Sequence, residues 1–280
     1  MGVVAPTDLE GVLRALDAEP ESQLLAGGTD FMVEVNFGHR RPPSVISLRN
    51  VRSLRERRRS PTHLVLGAGV TYADLAADDV ARDHPALTAA ARTVGSPQIR
   101  NAGTLGGNVG TGSPAGDTLP VLAALDATIE LTDTRGAQRS LSWEAFFVGP
   151  KRTARRPDEV ITSVALPLLD GRQDYLKVGT RNAMVISVAG LALVVDATGR
   201  TVRCALGSVG PVPLRARAAE AWVRDQIDWD ALRVDDPRTY ETFADMVADA
   251  ARPIDDHRST AAYRRHAVRV MASRALARLL

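Results

Sequence analysis

Two stretches of this chain bring together residue types that can hold a phosphate. One is Ala26-Gly27-Gly28-Thr29-Asp30. The other is Ile99-Arg100-Asn101-Ala102-Gly103-Thr104-Leu105-Gly106-Gly107-Asn108, running on into Ser113-Pro114-Ala115-Gly116-Asp117. Each sets adjacent glycines beside a hydroxyl or amide side chain. A residue without a Cβ lets backbone N–H groups come close to an anion and tolerates positive φ, so successive amides can converge on phosphate oxygens. Where the turn also opens a helix, as at Gly28-Thr29, the first N–H groups and about half a positive charge add to the attraction. A single Gly-Gly turn is as readily a plain tight turn, but a pair of such loops suits a pyrophosphate. That leaves NAD, ATP and FAD open. The Walker pattern is excluded, because neither loop ends in Gly-Lys-Ser/Thr. Gly110-Thr111-Gly112-Ser113-Pro114-Ala115 matches G-x-G-x-x-A in form. Pro114, and the lack of an apolar strand just before the motif, argue against a Rossmann turn there.

Other chemistries find little support. The single cysteine, Cys204, reads as a small buried hydrophobe in Val202-Arg203-Cys204-Ala205-Leu206. It cannot form an internal disulfide, and an iron–sulfur cluster needs about four thiolates. His39, His63, His84, His257 and His266 fall on different elements without metal-ligand spacing and are expected at the surface. The net charge of +2 is too small to advertise nucleic acid. Arg49, Arg52, Arg55, Arg57, Arg58 and Arg59 crowd one stretch, and Arg258, Arg264, Arg265, Arg269, Arg274 and Arg278 another. Both sets read as solvated faces or as docking surfaces for an acidic partner. With 280 residues, 45% of them apolar and 24% charged, the chain has the composition of a soluble protein of two or three lobes. The longest apolar run, Val185 to Val195, is interrupted by Gly190 and falls short of the roughly 18 residues that cross a bilayer. Met1 to Pro6 lacks a charged and then apolar leader, so a cytoplasmic protein without a membrane span is expected.

The elements that must position these loops follow from pattern. Thr7-Asp8-Leu9-Glu10 has capping-box spacing ahead of Val12, Leu13 and Leu16, which predicts an amphipathic helix. A strand from Gln23 to Ala26 leads into the first glycine turn and then a helical segment through Phe31-Met32-Val33. Ser44 to Leu48 and His63 to Leu66 read as strands. Thr71 to Asp74 caps a short helix, and Pro85 starts one that runs to about Val94. Gly95 to Asp117 has no apolar period and is expected to be a long loop system. Ala127 to Thr132 and Arg139 to Leu141 form a hairpin, followed by a strand from Val160 to Leu166. A boundary at Pro167 to Gly171 precedes an antiparallel sheet (Tyr175 to Val178, Val185 to Asp196, Thr201 to Leu206). Helices at about Leu214 to Val223, Tyr240 to Ala251 and Ala261 to Leu280 complete the chain. The fold class is α+β.

The run from Ile99 to Pro120 resembles the flavin-binding signature of the molybdenum hydroxylase family, the xanthine dehydrogenase, aldehyde oxidase and carbon monoxide dehydrogenase type. In that signature Ile-Arg-Asn, Gly-Thr-x-Gly-Gly-Asn and Ser-Pro-x-x-Asp recur in this order. Ala26 to Asp30 is similar to the first phosphate loop of its FAD-binding medium subunit. The similarity extends through Phe146-Phe147-Val148-Gly149-Pro150, Lys177-Val178-Gly179 with Arg181, and Pro253-Ile254-Asp255-Asp256 leading into Tyr263-Arg264-Arg265. The resemblance implies an FAD-binding region of the vanillyl-alcohol-oxidase/PCMH-like type over residues 1–170, in subdomains of about 1–58 and 59–170. A C-terminal domain of antiparallel sheet and helices would cover 171–280. It implies that Leu24, Leu25, Ala26, Gly27, Gly28, Thr29, Asp30 and Phe31 form the first FAD loop and Thr104, Leu105, Gly106, Gly107 and Asn108 the second, with amides and threonine hydroxyls around the pyrophosphate. Asp117 would bond the ribose or nearby nucleotide atoms, and Ile161 and Lys177 would meet the adenine side or the flavin. Lys177 is equally readable as a solvated strand lysine, and Asp30 as a helix cap.

The same resemblance implies a division of labour. Substrate is oxidised at a molybdenum cofactor on a large subunit, electrons cross 2Fe–2S clusters on a small subunit, and FAD on this chain delivers them to NAD, oxygen or a quinone. The assembly would be a dimer of heterotrimers. The lone Cys204 speaks against the variant whose flavin subunit carries a further cluster. Two rivals share the fold: a stand-alone FAD oxidoreductase acting on a small molecule, and a scaffold that has lost FAD. The intact glycines of both loops weigh against the scaffold.

Overall fold

The computed structural model describes residues 2–280. Its N-terminal part is a parallel three-stranded sheet in the order β1 (Gly2–Val4), β3 (Ser44–Ser47), β2 (Gln23–Leu25). Helix α1 (Leu9–Ala18) buries Val12, Leu13 and Leu16, as its apolar spacing demands, in a small core with Ile46, Val51, Leu54 and Val160. Its cap is not Thr7 but Asp8, whose carboxylate accepts from Gly11 N at 2.7 Å. The chain leaves β2 at its C-terminal end, turns through the first glycine loop and enters α2 (Phe31–Asn36) before returning as β3.

The middle of the chain is a five-stranded antiparallel sheet in the order β4 (Arg57–Arg59), β5 (His63–Gly67), β10 (Glu159–Pro167), β6 (Thr128–Asp133), β7 (Gln138–Ser142). Short helices lie between β5 and β6: α3 (Tyr72–Leu75), α4 (Asp78–Asp83), α5 (Pro85–Thr93), α6 (Pro97–Ala102), α7 (Leu105–Thr111) and α8 (Leu119–Ala124). The expectation of an irregular loop from Gly95 to Asp117 is therefore corrected, since α6 and α7 occupy much of it. Both are about two turns long or less, too short for a 3.6-residue period to show. They are instead defined by their caps, Ser96 accepting from Ile99 N and Thr104 from Gly107 N. Beyond the sheet, α9 (Trp143–Phe146) leads into a small hairpin of β8 (Phe147–Gly149) and β9 (Arg152–Thr153).

A four-stranded antiparallel sheet follows, β11 (Gly171–Val178), β12 (Ala189–Asp196), β13 (Thr201–Gly207) and β14 (Leu214–Arg215). Every residue of β12 is buried. Ala192 and Val194 pack into the middle core, while Leu191, Leu193 and Val195 face helices α10 (Arg217–Arg224), α11 (Arg238–Ala250) and α12 (Ala261–Leu279). A sheet covered on both faces reads as one apolar run rather than as alternation. That explains the Val185–Val195 stretch, although the strand begins only at Ala189 and the residues before it are loop. Cys204 is buried on β13. No helix is long and apolar enough to cross a membrane among the described residues.

Two surface assignments are corrected by burial. Arg264 is 3% exposed and donates to the carbonyls of Val188 and Ser208, both at 2.8 Å, and to Asp256 at 2.6 Å. It ties α12 to the start of β12 and the end of β13, and Asp256 is held down at about 2 by backbone donors and by this guanidinium acting against its burial. His84, between α4 and α5, is fully buried, and neither ring nitrogen has a partner within the chain. Burial pushes its pKa down to about 4 from 6.5, with Asp83 opposing.

The imidazole is thus neutral in the fold, while the unfolded chain takes up a proton below about 6.5. Its contribution to stability is present above that pH and is lost as pH falls toward about 4. Between pH 7 and 5 we expect the parent protein to lose on the order of 2 kcal/mol through this group. The His84→Leu variant should lack that part of the pH dependence. Urea midpoints at the two pH values measure it, and equal losses in both proteins would contradict it.

Candidate flavin site

The first loop is held open at the edge of the parallel sheet. Leu24 and Leu25 are half-buried in β2, Ala26 to Thr29 form the turn, Asp30 is exposed, and Phe31 is buried at the start of α2. Gly28 has φ +76, a conformation that costs a side-chain-bearing residue about 1–2 kcal/mol. The carbonyl of Gly28 accepts from Met32 N at 2.9 Å, so the turn is already helical at its exit. By contrast the backbone N–H groups of Ala26, Gly27, Gly28, Thr29 and Asp30 have no acceptor within the described residues. Asp30 makes no capping bond. Around α2, the Arg40 guanidinium lies 5.5 Å over the Phe31 ring, and Glu34 pairs with Lys151 at 3.0 Å and with Arg40 at 2.9 Å.

The second loop is brought directly against the first. A β-carbon on Gly27 would fall 2.6 Å from the Ala102 carbonyl carbon and 2.8 Å from Gly103 Cα. Only glycine permits that approach. Along Leu105 to Asn108, however, the amides are already used. Leu105 N donates to Val70 O, Gly106 N to Ala68 O, both at 2.8 Å, Gly107 N to the Thr104 hydroxyl at 3.0 Å, and Asn108 N to Thr104 O at 3.0 Å. In the second loop the amides of Leu105 to Asn108 are thus held by the protein, while the Thr104 N–H and hydroxyl proton remain free to meet a pyrophosphate. This loop is the floor on which the first rests, and most of the free backbone donors belong to the first. Asn108 accepts from the Thr118 hydroxyl at 2.6 Å, which fastens the floor to the loop carrying Asp117.

Asp117 is the centre of a buried polar cluster. One carboxylate oxygen receives the Lys177 ammonium at 2.6 Å and the Thr93 hydroxyl at 3.3 Å, and the other receives the Tyr175 hydroxyl at 3.2 Å. Lys177 also donates to Thr93 O at 3.3 Å. The side chains of Lys177 and Asp117 are 9% and 7% exposed, so Lys177 is not a solvated strand lysine. Burial pushes the Asp117 carboxyl above its ordinary range, and Lys177, Tyr175 and Thr93 pull it part of the way back. Asp117, expected at a ribose, is thus occupied by protein donors on both oxygens. Leu105 and Ile161 are buried in the middle core, with the Ile161 side chain beneath Gly110. The structure brings the two glycine loops together and places Asp117 with Lys177. Sequence reasoning missed Thr93, Tyr175 and Tyr72, whose ring packs on Gly103. No local pattern signals them, because each is placed by contacts across the fold. No group of three or more His, Cys, Asp or Glu is arranged to hold a metal among the described residues.

Free N–H groups at a positive-φ glycine, set on a glycine-rich floor, fit the pyrophosphate of a dinucleotide cofactor. Residues 1–169 match the family described as the FAD binding domain in molybdopterin dehydrogenase, and residues 174–279 match the CO dehydrogenase flavoprotein C-terminal domain. The chain belongs to this family of FAD-binding oxidoreductase subunits, and its cofactor is FAD. It is 34% identical to the nicotinate dehydrogenase FAD-subunit of Eubacterium barkeri, over 89% of this chain and 88% of that one. It is 30% identical to the glyceraldehyde dehydrogenase medium chain of Sulfolobus acidocaldarius, over 97% of this chain and 95% of that one. Among solved structures it resembles quinoline 2-oxidoreductase from Pseudomonas putida 86, with a TM-score of 0.89 at 25% identity, covering 100% of this chain and 96% of that chain. Carbon monoxide dehydrogenase from Hydrogenophaga pseudoflava gives 0.88 at 27%, with the same coverage. The α+β architecture is shared with both.

Removing one member of a buried pair strands the other's charge at a cost of about 3–5 kcal/mol. Lys177→Met should therefore destabilise the protein by about that much, and adding Asp117→Asn should recover most of the loss. Urea unfolding of both variants measures this. A cost under about 1 kcal/mol for Lys177→Met would show that the pair is not buried as described.

Proposed function

We propose that this chain is the FAD-carrying electron-transfer subunit of a molybdenum hydroxylase. In this reading it works with a large subunit that holds the molybdenum cofactor and a small subunit that holds 2Fe–2S clusters, assembled as a dimer of heterotrimers. It passes electrons from those clusters to an external acceptor such as NAD, oxygen or a quinone. The observation that carries the reading is the first loop, Leu24 to Phe31, whose unbonded amides stand on the glycine floor of Thr104 to Asn108. Names among the relatives support the setting: one is a medium chain and one an FAD-subunit of a dehydrogenase.

Bound FAD would supply the redox chemistry, since a flavin exchanges electrons singly and in pairs. The chain's own residues bind and orient. Ala26 to Asp30 offer backbone donors to the pyrophosphate, and Gly27 and Gly28 make their convergence possible. Thr104 and Asn108 hold the floor in shape through their caps and side-chain bonds. Asp117 and Lys177 fix the loop beside the C-terminal sheet, at the side where the nucleotide or flavin would lie, and Ile161 lies beneath Gly110 of α7, the helix that continues the floor.

The purified chain should show a flavin absorption spectrum or regain one on titration with FAD. Gly28→Val should bind FAD at least about tenfold more weakly, because a branched side chain at positive φ costs more than about 1.4 kcal/mol. A well-folded parent that takes up no FAD would remove the reading and leave only a scaffold. A tagged chain should co-purify from its native cell with polypeptides carrying molybdenum and iron; recovery of flavoprotein alone would favour a stand-alone oxidoreductase.

A further inference from the structure

Tyr72 opens α3 directly after its Thr71 cap and lies where the loops meet. Its backbone is pinned to the second loop on both sides of the Thr71–Thr104 bridge. Tyr72 N donates to Gly103 O at 3.1 Å, and Leu105 N to Val70 O at 2.8 Å. Its ring packs on Gly103 so closely that a β-carbon there would fall 2.8 Å from Cε2 and 3.0 Å from Cδ2. Gly103 is the same residue against which Gly27 is pressed. The phenol thus shares its supporting residue with the turn that carries the unbonded amides.

The residue is 6% exposed, yet its hydroxyl makes no hydrogen bond within the described chain and is not sealed from solvent. Buried tyrosines ordinarily find a partner for that group, because the ring is apolar and the O–H is not. Burial, then the charges of Asp30 and Asp117, push the phenol's pKa further above its ordinary value. The group therefore stays protonated and can donate. Asp30 ends the first loop and Asp117 follows the floor, so the charges that act on the phenol are those bordering the cofactor loops.

We propose that the Tyr72 hydroxyl donates a hydrogen bond to the pyrophosphate of bound FAD, beside the backbone donors of Ala26 to Asp30. This rests on the reading of that loop as the pyrophosphate site. Tyr72 then serves twice: its ring supports Gly103, and its hydroxyl adds a neutral donor at a position the backbone does not reach. Replacement by phenylalanine separates the two roles, since it keeps the ring and removes the donor.

The full chain, stripped of flavin, is titrated calorimetrically with FAD and with ADP, which carries the adenosine and both phosphates but no flavin. Tyr72→Phe should bind both about tenfold more weakly than the parent, the loss expected for a hydrogen bond to a charged group. The thermal midpoint of the flavin-free protein should be unchanged. A Tyr72→Phe variant that binds ADP as tightly as the parent overturns the proposal, even if FAD binding weakens, because the hydroxyl would then act elsewhere on the cofactor. If parent and variant bind FAD equally, Tyr72 is excluded and the loop reading stands. If the parent binds neither ligand, the loop reading itself fails.

Discussion

Gly27 meets the backbone of Ala102 and Gly103 with no side chain between them, and the rest of the site is arranged around that contact. It brings the edge of the parallel sheet, where β2 ends, onto the short helices of the middle lobe. The second loop is fixed in turn to the chain leaving β5, through Leu105 N to Val70 O and Gly106 N to Ala68 O. A β-carbon on Gly106 would come 2.7 Å from Ala68 O, so here too the backbones are in contact. Amides held this way are oriented before any ligand arrives, and the ordering is already met by folding rather than by binding. Glycine loses more freedom than other residues when it is fixed, so the arrangement lowers stability where it prepares the site.

The second fixed point is charged. Asp117 and Lys177 are both removed from water, and such a pair is weak evidence for stability, because desolvation offsets the attraction. Its value is in register. Tyr175 and Lys177 lie on one face of β11, paired with Ala192 and Gly190 of β12. Leu176 and Val178, on the other face, pack toward the helices. A slip by one residue would turn Lys177 and Tyr175 away from Asp117 and put leucine and valine against a carboxylate. The cluster thus sets the C-terminal sheet against the loop beside the proposed cofactor site.

The chemistry of this protein was more legible in its sequence than its architecture. Glycine, hydroxyl and amide side chains act locally, so both loops stand out without knowledge of the fold. The helices α6 and α7 did not, because elements of this length are set by caps and close packing rather than by period. Strands β1 and β4 were missed for another reason. Each is short and exposed, and β1 is defined by pairing with β3, a partner distant in sequence. His84 and Arg264 look like surface residues by type, and only the packing of α5 and α12 buries them. Which loop keeps most of its amides free was equally invisible, since the acceptors for Leu105 and Gly106, Val70 and Ala68, lie outside the motif.

The cations attached to these loops are already engaged. Lys177 is paired with Asp117, and Lys151 and Arg40 with Glu34, whose carboxyl is drawn below its ordinary range by the Lys151 hydrogen bond. Arg100 donates to the carbonyls of Val94 and Gly95. In the proposed site, direct contact with a doubly charged pyrophosphate therefore falls mainly to neutral donors, the amides of Ala26 to Asp30 and the nearby hydroxyls. Such donors act at contact distance and weaken steeply with poor geometry, whereas a free lysine would attract any anion from afar. A site built this way selects by shape. The phosphates must reach the turn in one orientation, which is what a subunit needs if its flavin is to face a fixed partner rather than move in solution.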